Sequence, residues 1–189
     1  MKILIIDIET AGLTPEDSPI VEIGLQLVDT ESGEITELFN QLIKEDMFDP
    51  KNWKHTSAWI FKNSNLKVSD VMKANSLESY REELQGYFDK YHVTAYNVKF
   101  DMKFMRSRNF VITEVKDLMA AAKEHVKVIG KNGQIKMPSL MDAYKHFFPN
   151  EVYKEKHRGA DDAYHEGKIL LEMVRIKKEK KNRFASEFE

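Results

Sequence analysis

Asp7 and Glu9 stand one residue apart at the end of the apolar run Ile3-Leu4-Ile5-Ile6, with Ile8 between them. Side chains alternate along a strand, so both acids project to one side. Adjacent carboxylates repel one another and lose hydration. A cation between them is the simplest physical reason for the pairing, and oxygen donors suit hard ions such as Mg²⁺ or Mn²⁺. Taken alone, the pair fits equally well a strand end that has reached solvent. Three further residues bear on the choice: Asp101, just past a later strand, and His157 with Asp162 at the start of the last helix.

The elements that must position these groups are read from hydrophobic periodicity. Residues 2–6 are β-branched and continuously apolar, as in a strand covered on both faces. After a turn punctuated by Gly12 and Pro15, Val21, Ile23, Leu25 and Leu27 alternate with Glu22, Gly24 and Gln26, the pattern of a half-buried strand. Residues 30–34 form a hairpin loop into a third strand near Ile35 to Ile43, which completes an antiparallel meander. Residues 44–76 are polar and irregular, with room for one or two short helices. Leu77, Tyr80, Leu84, Tyr87, Phe88 and Tyr91 lie at helical spacing. A strand over His92 to Tyr96 and a helix beginning near Phe100 follow. Val115 to Met119 reads either as a fifth strand or as the start of a helix. Pro138 and Ser139 open a helix that Pro149 stops, and the last helix runs from about Ala160 past Arg175. This order predicts an α/β fold, a mixed sheet with helices on both faces.

Composition narrows the class. A chain of 189 residues, 42% hydrophobic and 32% charged, suits one compact domain. The absence of cysteine excludes disulfides, thiolate catalysis and Cys-based zinc sites. A formal net charge of −2 argues against a basic field over the whole molecule, so any nucleic-acid contact rests on local patches. No targeting segment is read ahead of the first strand, and the apolar stretches fall short of the roughly 20 residues of a membrane helix. The expectation is a cytoplasmic protein with no membrane contact.

Three motifs then carry a specific resemblance. Asp7-Ile8-Glu9-Thr10-Ala11-Gly12-Leu13 resembles the first motif of the DEDDh, or DnaQ-like, 3′–5′ exonucleases, with Ala11 where a threonine is common. Asn97-Val98-Lys99-Phe100-Asp101 resembles the second, and His157-Arg158-Gly159-Ala160-Asp161-Asp162-Ala163 the third. The resemblance covers about residues 1–175, taken as a single exonuclease domain, with 176–189 as a basic, fraying helical extension. It implies a ribonuclease H-like sheet of five strands, three antiparallel and then two parallel.

The resemblance also implies roles. Asp7, Glu9, Asp101 and Asp162 would hold two divalent cations, Mg²⁺ or Mn²⁺, for phosphodiester hydrolysis. His157 would be the general base, because an unperturbed pKa of about 6.5 lets neutral imidazole take a proton near neutral pH. Four acids without their cations predict raised carboxylate pKa values. His157, in a loop, is expected to move when substrate is absent. Asp161 has the three-residue spacing of relatives that use tyrosine. The four-residue spacing to Asp162, followed by Ala163, selects Asp162, and Asp161 is then expected on a different, solvated helix face. His165 is read on a solvated face too.

By resemblance, Thr10, Ala11, Gly12 and Leu13 would receive the 3′-terminal nucleotide, with Asn97 and Phe100 on the opposite wall. Stacking on apolar side chains tolerates any base. Lys99, Lys103, Arg106 and Arg108 would form a phosphate track. Arg175, Lys177, Lys178, Lys180, Lys181 and Arg183 read as a solvated helix end or as a nucleic-acid or polymerase contact. Trp53, Trp59 and Phe61 would stack unpaired bases or form a small satellite core. The expected activity is removal of nucleoside 5′-monophosphates from a 3′ end, of single-stranded DNA before RNA, with a separate DNA polymerase as a possible partner. A non-catalytic nucleic-acid- or polymerase-binding module on the same fold is the alternative of another class. The intact set of five groups argues against it.

Overall fold

The computed structural model describes residues 1–186, with side chains to residue 182. β1 (Lys2–Thr10) lies at the centre of the sheet, antiparallel to β2 (Ile20–Asp29), which is antiparallel to β3 (Ile35–Leu42). Strand alternation splits the apolar run of β1 between two cores. Leu4, Ile6 and Ile8 join one of them, and Ile3 and Ile5 join the other.

The irregular stretch after β3 folds as three short helices, α1 (Trp53–Thr56), α2 (Trp59–Asn63) and α3 (Val68–Val71). They gather a satellite core of Phe48, Ile60, Leu66 and Val71 around Ala11 and Val21, with Phe61 packed against it. A 3-10 turn over Leu77–Tyr80 leads into α4 (Arg81–Lys90), whose Leu84 and Phe88 cover the Leu4, Ile6 and Ile8 face. β4 (His92–Thr94) runs parallel to β1, and α5 (Val98–Ser107) follows it. Next come α6 (Leu118–Ala122), a small hairpin of β5 (Val128–Ile129) and β6 (Ile135–Lys136), and α7 (Leu140–Phe147). A capping box of Ser139 and Asp142 opens α7. α8 (Gly159–Ser186) lies on the Ile3 and Ile5 face with α6 and α7. Among the described residues no helix is long and apolar enough to cross a membrane.

The sheet order is β3-β2-β1-β4, a mixed sheet of four strands where five were expected. Val93 forms a single parallel bridge with Glu114: Val93 N–H donates to Thr113 O, and Val115 N–H donates to Val93 O. Asp117 then draws the chain off the sheet. Its carboxylate takes the N–H of Val98 at 2.7 Å and caps α6 through Ala120 N–H at 2.7 Å.

β2 differs as well. The alternation of Glu22, Gly24 and Gln26 predicts a solvated face, yet Glu22 and Gln26 are 1% and 3% exposed because the start of α8 covers them. Alternation reports polarity, and the partner that buries it lies far away in sequence.

Candidate active site

The polar face of β2 positions the third motif. Glu22 receives Arg158 Nε at 2.9 Å and Nη2 at 2.6 Å, together with the backbone N–H of Gly159 at 3.1 Å. Gln26 donates to Ala160 O at 3.0 Å. With Gly24 leaving room between them, the first turn of α8 settles on β2 beside Asp7, which pairs across the sheet with Gly24. Asp7 and Glu9 share the α8 face of β1 with Ile3 and Ile5, so Asp162 is brought over both.

Asp101 and Asp162 are 3% and 2% exposed. Asp101 accepts the N–H of Ile8 at 3.2 Å, which ties the second motif to the first. Asp162 accepts the Tyr153 hydroxyl at 2.6 Å on one oxygen and Arg158 N–H at 3.1 Å on the other. Ligand atoms of Glu9, His157 and Asp162 lie within 4.8 Å of one another, a grouping that can hold a metal ion.

Burial, and after it mutual repulsion, raises Asp7, Glu9 and Asp101. Burial, then the charges of Glu9 and Glu166, pushes the Asp7 carboxyl well above its usual range. Burial and neighbouring Asp162 and Glu22 raise Glu9 to about 9. Asp101 is raised to about 8 by burial, against the opposing effect of the Ile8 N–H. Carboxylates held this far up in pKa are destabilised as anions, and an oxygen-seeking divalent cation reverses that penalty. The donor set fits such an ion.

His157 is half-buried with a backbone φ of 53°, in the left-handed region. Its ring meets the Trp59 ring edge-on with centroids 4.6 Å apart, and its Nδ1 lies 3.8 Å from Glu155 Oε1. A carboxylate near Nδ1 favours the tautomer whose Nε2 can accept a proton.

The neighbours of Asp162 depart from expectation. Asp161 does lie on another face of α8, but it is three-quarters buried, paired with Lys156 Nζ at 2.6 Å, and its Oδ2 is enclosed without a hydrogen bond. His165 is not solvated: its ring stacks on Tyr153 at 4.0 Å and meets Tyr144 edge-on. This packing holds the Tyr153 hydroxyl on Asp162.

Beside the acids opens a cleft of about 690 Å³ lined by Glu9, Thr10, Ala11, Gly12, Leu13 and Phe100 from the predicted set. Lys54, His55 and Trp59 are among the other residues that line it. Leu13 is 79% exposed at its edge, whereas Ala11 is buried in the satellite core. Asn97 is not among the lining residues; it is exposed at the N-cap of α5 with a left-handed φ of 78°.

The phosphate track shrinks. Arg108 is a structural staple, bonded to Glu45 at 2.8 Å and to the carbonyls of Pro15 and Ser18. Arg106 pairs with Glu114 at 3.0 Å. Lys99 and Lys103 stay exposed without an ion pair among the described residues, as does Lys54 in the cleft, which the sequence did not single out. In the C-terminal cluster Arg175 is taken by Glu172 and Glu179, and Lys178 donates to Thr30 O at 2.9 Å. The Arg183 side chain lies outside the described residues. Both tryptophans are exposed, and Trp59 lines the cleft and meets His157.

Sequence reasoning missed Glu22, Tyr153, Glu155 and Glu166. Glu22, with Gly24 and Gln26, carries a signal: three residues on one strand face that need a partner once covered.

The fold is shared with solved exonucleases. E. coli Exonuclease I in complex with a dT13 oligonucleotide superposes with a TM-score of 0.69 at 15% identity, over 90% of this chain and 40% of that one. The nuclease domain of 3′hExo, a DEDDh family member bound to rAMP, gives 0.64 at 18% identity over 92% of both chains. A PolC-type DNA polymerase III from Thermotoga petrophila is 26% identical over 103 residues, 54% of this chain, and the chain spans only 7% of that relative's length. The sequence model of the family described as Exonuclease, RNase_T, matches residues 4–170 and so includes all three motifs. By that match the chain belongs to the RNase_T exonuclease family, hydrolases of nucleic acid.

Proposed function

We propose that this chain is a divalent-metal-dependent 3′–5′ exonuclease that releases nucleoside 5′-monophosphates, with single-stranded DNA as its favoured substrate. The observation that carries the reading is the meeting of Glu9, His157 and Asp162 within 4.8 Å, beside the raised carboxyls of Asp7 and Asp101. Asp7, Glu9, Asp101 and Asp162 would hold two cations, Mg²⁺ or Mn²⁺. Bound there, the ions would stabilise negative charge developing on the scissile phosphate and on the leaving 3′ oxygen. His157 accepts the proton of the attacking water through the ring nitrogen turned away from Glu155. Leu13 and Phe100 hold the terminal base by apolar contact, while Lys54 neutralises phosphate charge at the cleft edge.

The PolC-type relative is a DNA polymerase by name, which favours DNA as substrate and association with a DNA polymerase. The test is digestion of matched 5′-labelled single-stranded DNA and RNA with Mg²⁺, Mn²⁺ or EDTA. The expected result is a ladder shortening from the 3′ end, faster on DNA and absent in EDTA. Equal or faster cleavage of RNA would reassign the substrate, and no cleavage with either ion would leave a binding module.

A further inference from the structure

Glu166 follows Asp162 by one helical turn on the face of α8 that covers the sheet, and it is 2% exposed. One carboxylate oxygen accepts the N–H of Tyr96 at 3.0 Å. No donor reaches the other oxygen, and no cationic side chain pairs with the group, among the described residues. β4 ends at Thr94, which pairs with Ile5 of β1, and Tyr96 lies two residues past it in the turn that leads to α5. The Glu166 carboxyl lies within electrostatic reach of the cluster: its charge adds to those that raise Asp7, and Asp101 is the largest source of repulsion on it.

A neutral glutamine would serve Tyr96 equally well. A buried carboxylate with one hydrogen bond and no counter-charge is costly, and a structural role leaves that cost unexplained. We propose that Glu166 is a fifth acid of the cation-binding centre, acting on the ion shared by Asp7 and Asp101, directly or through a water. The inference rests on the two-cation reading above and extends it: that ion, not the one held by Glu9 and Asp162, depends on Glu166.

The test uses the whole chain and Mn²⁺ alone, without nucleic acid, following thermal stabilisation and the free Mn²⁺ signal by electron paramagnetic resonance. Glu166→Gln retains the volume and the Tyr96 bond. It is expected to melt no lower than the parent without metal, yet to need about 10- to 100-fold more Mn²⁺ for the same stabilisation. Glu166→Ala should share that shift and also melt lower without metal, having lost the Tyr96 bond. A parent-like Mn²⁺ midpoint for Glu166→Gln, with the shift confined to Glu166→Ala, would make the residue an anchor only and overturn the proposal. No Mn²⁺ response in the parent protein would instead refute the two-cation reading, and this inference with it.

Discussion

Gly24 meets Gly159 backbone to backbone: a Cβ on Gly24 would stand 2.1 Å from the Gly159 carbonyl carbon and 2.1 Å from Ala160 N. Gly159 in turn has room only for a hydrogen, since its own Cβ would lie 2.8 Å from Asp7 O. The sheet and the helix that carry the first and third motifs are therefore registered by two absent side chains. No other residue type permits that approach.

Gly24→Ala follows directly. Overpacking against main chain costs about 1–3 kcal/mol, which at about 2–4 °C per kcal/mol lowers the melting temperature by several degrees. Displacement of Asp162 from Asp7 should reduce activity well beyond what the lost stability explains. Gly86→Ala, where a Cβ meets open space within α4, is the control, expected to be neutral or stabilising in the same melts.

Tyr153→Phe removes only the hydroxyl that donates to Asp162, since the ring keeps its stack on His165. Groups that orient a metal-binding carboxylate are worth about 10- to 100-fold in metal affinity or activity. The expectation is a loss of that size in the Mg²⁺ titration of the rate, with an unchanged circular dichroism spectrum. A variant with full activity at low Mg²⁺ would show that Asp162 needs no such support.

Trp59 contacts His157 edge-on from the cleft wall. A general base is worth about 10²- to 10⁴-fold, and a loosened imidazole forfeits part of it. Trp59→Ala should lower kcat by about tenfold or more with a smaller change in KM, and Trp59→Phe should restore most of kcat. A rise in KM alone would assign Trp59 to substrate binding rather than to His157.

The raised acids set the pH dependence of metal-free stability. Glu9, raised to about 9, and Asp101, raised to about 8, bind more protons folded than unfolded above their ordinary range. Stability is therefore fully present below about pH 4 for these groups and is lost as pH rises through about 8 to 9. Melts in EDTA should fall progressively from pH 5 to pH 9, and Mg²⁺ or Mn²⁺ should restore the alkaline values. A metal-free melting temperature that climbs over this range would contradict the raised carboxyls.

Much of this was legible in the sequence, for reasons that differ by element. Residues 2–6 and the Leu77 to Tyr91 helix announce themselves through periodicity, and the three motifs through residue type at fixed spacing. What stayed hidden depends on partners distant in sequence. Glu22 and Gln26 read as solvated because Arg158 and Ala160 lie more than a hundred residues away. Arg108 reads as a phosphate contact until Glu45 claims it, and His165 as solvated until Tyr153 stacks on it. The fifth strand fails for a local reason, because Asp117 caps a helix one residue later. Glu166 belongs to no motif, so only its burial drew it into the site.

The central claim is that Asp7, Glu9, Asp101, His157 and Asp162 act as one hydrolytic centre. It is tested most directly by single-turnover rates on a 5′-labelled oligonucleotide for Asp7→Asn, Asp101→Asn, Asp162→Asn and His157→Ala, each at saturating Mg²⁺ and with folding verified by circular dichroism. The acid variants should lose about 10³-fold or more, because cation-borne stabilisation of the transition state is worth several kcal/mol and each 1.36 kcal/mol is tenfold. His157→Ala should lose about 10²- to 10⁴-fold. A folded variant of any of these that retains a rate within tenfold of the parent would contradict the assignment of that residue to the centre.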